Sequence, residues 1–64
     1  MKSIQEMINT ILNSGLTEPE LAKMANTTQP SINRMKRGET ADPGYSVGKT
    51  IENIYMALEE NSAA

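Results

Sequence analysis

Leu16-Thr17-Glu18-Pro19-Glu20-Leu21-Ala22-Lys23-Met24-Ala25-Asn26-Thr27-Thr28-Gln29-Pro30-Ser31-Ile32-Asn33-Arg34-Met35-Lys36-Arg37-Gly38 is the stretch on which the fold turns. It contains two helix starts in quick succession. Thr17 followed by Glu20 is a capping-box pattern, and Pro19 falls in the first turn, where its missing N–H does no harm. Leu21, Ala22 and Ala25 can line a short buried stripe, and Asn26-Thr27 breaks the segment because asparagine tolerates a left-handed backbone. The spacing predicts a helix over about 18–25. Thr28 then supplies a second cap and Pro30 again sits in the first turn. Ile32 and Met35 face one way, while Gln29, Asn33, Arg34 and Arg37 face the other. Gly38 stops this second helix, predicted over about 29–36.

Working outward, Ile4, Met7, Ile8, Ile11 and Leu12 recur at helical spacings. Ser3 with Glu6 reads as another capping box and Gly15 as a stop, which predicts a helix over about 4–14. Residues 38–45, GETADPGY, carry two glycines and a proline and read as a surface loop. Val47, Ile51, Ile54, Tyr55 and Leu58 share one face of a last helix, predicted over about 46–60 with Ser46 as its cap. The β-branched residues all fall on helical periods, so no strand is expected. The expectation is an all-α, compact four-helix domain over residues 1–60, with 61–64 as a disordered C-terminal tail.

Composition narrows the chemistry. The 64 residues allow one small core, worth roughly 3–5 kcal/mol net. Cysteine and histidine are both absent, which removes disulfides, thiolate metal sites, the commonest general base and the commonest zinc ligand. An enzyme is not expected, and neither a cofactor nor a metal is implied. Two tyrosines are the only aromatic residues, too few for a single-strand stacking platform. No apolar run reaches membrane-spanning length, and Met1-Lys2-Ser3 leads into a patterned segment rather than a signal peptide. The expected setting is cytoplasmic, in a bacterial cell or a phage-infected host. Net charge is −2, a sum that by itself argues mildly against nucleic acid. The distribution matters more, because Arg34, Lys36 and Arg37 cluster within four residues while Glu52, Glu59 and Glu60 gather at the far end.

Two short helices joined by a three-to-four-residue turn form a helix-turn-helix. Ala22 is small enough for a close crossing, Asn26 suits the turn, and Ile32 and Met35 anchor the second helix. That leaves an outer face able to read base edges. Gln29 can bond bidentately to adenine N6 and N7, Arg34 to guanine O6 and N7, and Pro30 can touch a thymine methyl.

The run Leu16-Thr17-x-x-Glu20-Leu21-Ala22, then Thr28-Gln29-x-Ser31-Ile32-x-Arg34, then Gly38, resembles the lambda-repressor-like, or XRE, family of phage repressors and Cro proteins. The resemblance extends over about residues 3–60. It implies that the second helix of the motif lies in the major groove, with Gln29, Pro30 and Arg34 at base-reading positions. It likewise implies backbone contacts from Thr28, Asn33, Lys36, Arg37 and Lys49. The chain departs from the family at Asn26, where glycine is usual, and at Glu18, where a glutamine commonly grips a phosphate. A carboxylate at Glu18 repels a phosphate unless it turns away. The implied partner is a double-stranded DNA operator, bound by a homodimer whose half-sites lie about 34–36 Å apart; in solution the chain could be weakly dimeric or monomeric. The alternative is a protein-interaction module, antirepressor-like or antitoxin-like, on the same fold with weak or no DNA binding. The acidic balance and Glu18 motivate it.

Overall fold

The computed structural model describes residues 3–39 and 44–63, and over these the chain is helix joined by turns, bends and a few irregular residues, with no strand. Four helices follow one another: α1 at Ile4–Asn13, α2 at Glu18–Met24, α3 at Gln29–Lys36 and α4 at Tyr45–Ala63.

Each of the first three begins where a hydroxyl can satisfy a free backbone N–H. Ser3 Oγ accepts from the Glu6 N–H at 3.1 Å. At Thr17 the box closes in both directions, with Thr17 N–H donating to Glu20 Oε1 at 2.9 Å and Glu20 N–H donating to Thr17 Oγ1 at 3.3 Å. Hydrogen bonds from the Thr17 backbone N–H, and then from its hydroxyl, hold the Glu20 carboxyl below the ordinary glutamate value. Thr28 Oγ1 accepts from the Ser31 N–H at 3.3 Å.

α2 and α3 end in the same way. Asn26 adopts φ +57°, the Thr27 N–H reaches back to the Ala22 carbonyl at 2.9 Å, and the Asn26 N–H reaches the Lys23 carbonyl at 3.2 Å. Gly38 adopts φ +80°, with Glu39 N–H on the Arg34 carbonyl at 2.9 Å and Gly38 N–H on the Met35 carbonyl at 3.1 Å. This paired bonding closes the helix end on a left-handed residue and satisfies carbonyls that would otherwise lack partners.

The bounds of α4 correct the sequence reading. The Gly44 carbonyl accepts from the Gly48 N–H at 3.0 Å, so the helix is entered from Gly44 and begins at Tyr45. Ser46 therefore sits inside the first turn and is not the cap. At the other end the helix continues through Ala63, past the expected end at about 60. Neither glycine nor proline follows Glu60 to break the backbone ladder, and alanine is the strongest helix former. The expected loop at 38–45 has its middle, 40–43, outside the described residues, as are 1–2 and 64.

α1 packs against both α3 and α4, and α2 packs against α3. The core is Ile8 and Ile11 from α1, Leu21, Ala22 and Ala25 from α2 and its cap, Ile32 and Met35 from α3, and Ile51 from α4. Ile8, Ile11, Leu21, Ile32 and Ile51 are fully enclosed. Burial of each such side chain is worth about 1.5–3 kcal/mol. Val47, Ile54, Tyr55 and Leu58 close over the cluster from α4, as their shared face predicts. With Ile32 and Met35 pointing inward, the opposite side of α3 is turned to solvent.

Candidate functional site

α3 carries the densest set of candidate residues, and its packing decides which of them can meet a partner. Gln29, Pro30, Arg34 and Arg37 are exposed. Pro30, Arg34 and Arg37 lie opposite Ile32 and Met35, and Gln29 lies at the edge of that face, so the three residues expected to read bases are all accessible. Arg34 forms no ion pair among the described residues, which leaves its five donors open for a planar acceptor pair. Thr28 is exposed as well, but its hydroxyl is occupied locally: it receives the Ser31 N–H and donates to Ser31 Oγ at 3.0 Å.

Asn33 and Lys36 are placed differently. Both are half-buried and turned toward α2. Asn33 Nδ2 donates to Glu18 Oε1 at 3.3 Å, and Lys36 Nζ lies 3.2 Å from Glu18 Oε2. Hydrogen bonds from Asn33 first, and then from Lys36, hold the Glu18 carboxyl below the ordinary glutamate value; Gln29 adds a smaller effect of the same sign. Glu18 is thus a functional candidate that helical periodicity alone does not reveal. Gln29, Asn33 and Lys36 recur at intervals of four and three, which marks a stripe on α3. Their partner lies on another helix, and only the fold brings it there.

The other two candidate cations, Arg37 and Lys49, also carry acidic partners. Arg37 Nη2 is 2.7 Å from Glu39 Oε2 across the exposed end of α3. Lys49 Nζ is 3.3 Å from Glu52 Oε1, one turn along α4. Lys49 also borders an open groove of about 400 Å³ between the starts of α1 and α4, with Ile4, Met7, Tyr45 and Gly48. None of its lining residues belongs to α2 or α3, so the groove and the outer face of α3 are separate features. Among the described residues, Met24, Tyr45 and Met56 are the large apolar side chains left exposed. Met56 falls on the outer side of α4. No described helix is long and apolar enough to cross a membrane.

Neither a protein-family model nor a solved structure matches the chain. A relative does exist among phage proteins. The chain is 36% identical over 61 residues to protein P2 of Acyrthosiphon pisum secondary endosymbiont phage 1. The match spans 95% of this chain and 65% of that protein, so the relative is longer by about a third of its own length.

Proposed function

We propose that the chain is a sequence-specific, double-stranded DNA-binding regulator of the lambda-repressor-like class, with α2 and α3 as its helix-turn-helix. The observation that carries this reading is the division of α3. Ile32 and Met35 fix it from within, while Pro30 and Arg34 stand on its open side and Gln29, also exposed, lies at the edge toward Glu18. The left-handed turn at Asn26 and the small buried Ala22 at the crossing support the same reading. In this scheme α3 enters the major groove, Arg34 bonds to guanine O6 and N7, Gln29 bonds to adenine, and Arg37 and Thr28 lie beside the backbone. A homodimer on a two-fold operator supplies the second half-site. A phage origin for the relative fits a Cro-like or repressor-like role.

Random-site selection on DNA, followed by gel shift, tests the proposal. Arg34→Ala should cost about 1–3 kcal/mol on the selected site and relax preference at one base pair. An equal loss on selected and scrambled duplex would overturn the assignment of Arg34 to base reading. A second reading, an antirepressor-like or antitoxin-like protein partner, is favoured by one observation: Lys36, Arg37 and Lys49 each already hold a glutamate. Failure to bind any duplex at low salt and micromolar protein would favour that reading.

A further inference from the structure

We propose that Glu18 is a built-in counterion of the DNA face: it holds Asn33 and Lys36 against α2 and so removes one phosphate contact from the interface. The proposal rests on the DNA-binding reading and adds to it a residue that sets affinity and salt response.

The argument begins with how differently the three acid–base pairs are held. The Glu39 and Glu52 side chains keep 52% and 40% of their surface open, so each can swing clear of an approaching phosphate. The Glu18 side chain keeps only 19%. It stands at the first position of α2, and both its oxygens are engaged on α3, Oε1 by Asn33 and Oε2 by Lys36. Swinging it away would break two hydrogen bonds between helices at once.

Lys36 and Glu18 together carry no net charge. A phosphate brought to Lys36 also meets the carboxylate 3.2 Å from that ammonium, and attraction to one is offset by repulsion from the other. The salt dependence of DNA binding counts the counterions that lysine and arginine displace from phosphates. A lysine already neutralised from within displaces none. Arg37, whose own partner is exposed, is left as the main electrostatic contact on α3, beside Arg34 at the bases.

The test is a salt series on the selected duplex, comparing the original chain with Glu18→Gln and Glu18→Ala. Glutamine keeps an acceptor for Asn33 and removes the charge; alanine removes both, and a melting curve confirms that each variant folds. With Lys36 released, the slope of log affinity against log salt should steepen by about 0.9, one phosphate's worth. Binding at low salt should tighten severalfold. Lys36→Ala should cost severalfold more in the Glu18→Gln background than in the original chain, and the double variant should return to the original slope. Identical slopes and affinities for the original chain and both Glu18 variants would overturn the proposal. If the original chain and the variants all fail on every duplex at low salt, the DNA-binding reading falls, and this inference with it.

Discussion

The two sides of α3 are held by different forces. Ile32 and Met35, on the inner side, are buried in a core to which all four helices contribute. Their positions are set by packing, which tolerates little change in volume. On the outer side, Arg34 stands open, Arg37 meets Glu39 and Lys36 meets Glu18. Those arrangements depend on charge and on who else is present. The inner side therefore decides whether α3 exists, and the outer side decides what it can meet. The two should be separable by mutation.

The largest effect belongs to the inner side. Ile32→Ala removes a fully buried side chain and should cost about 2–5 kcal/mol, comparable to the whole stability expected of so small a domain. Circular dichroism should find this variant largely unfolded at room temperature, whereas Arg34→Ala should melt with the original chain. If Arg34→Ala unfolded the protein too, the separation of the two sides would fail.

A smaller effect is expected at the turn that aims α3. Asn26 has φ +57°, a conformation that a Cβ without a helpful polar group resists. Asn26→Ala should cost about 1 kcal/mol, a fall in melting temperature of about 4–8 °C at this size. Asn26→Gly should melt near the original, because relief of the strained φ is offset by greater freedom in the unfolded chain. A stable Asn26→Ala variant would mean that the turn can be remade without a left-handed residue.

The smallest effects come from titration. Glu18 and Glu20 both have carboxyls held below the ordinary glutamate value. Their stabilisation is present above that value and is lost as pH falls through the lower folded-state one, so the melting temperature should drop below about pH 4. The Glu18→Gln/Glu20→Gln double variant should show a shallower acid limb. Tyr55 works in the opposite sense. Its hydroxyl donates to Glu59, which pushes its pKa up, so that contribution is intact below about pH 10 and fades above it.

Much of this molecule was legible as text. α3 occupies the span its caps mark, because Thr28, Pro30 and Gly38 act through their own backbone geometry. The core stripes follow from spacing for the same reason. The start of α4 was misread because Ser46 looked like a cap, while the chain enters through Gly44. The candidate site is legible one helix at a time: the wheel of α3 gives Gln29 and Arg34, and the family resemblance adds Pro30. The bonds from Glu18 to Asn33 and Lys36 span 15 and 18 residues and needed the packing of α2 on α3. The Lys49–Glu52 pair lies within one turn and could have been read from spacing alone.

The order in which the helices touch also bears on how the molecule assembles. α2 and α3 are neighbours along the chain and in space, joined by residues 25–28, so their docking asks for little loop entropy. α1 and α4 also touch, but the whole of α2 and α3 lies between them in the chain, so their contact closes a longer loop. We therefore expect the nucleus to form at the α2–α3 elbow, with α4 closing last over Ile8 and Ile11. Stopped-flow kinetics should then find that Ala25→Gly slows folding while Ile51→Val mainly speeds unfolding. The reverse pattern would place the first event between the two outer helices.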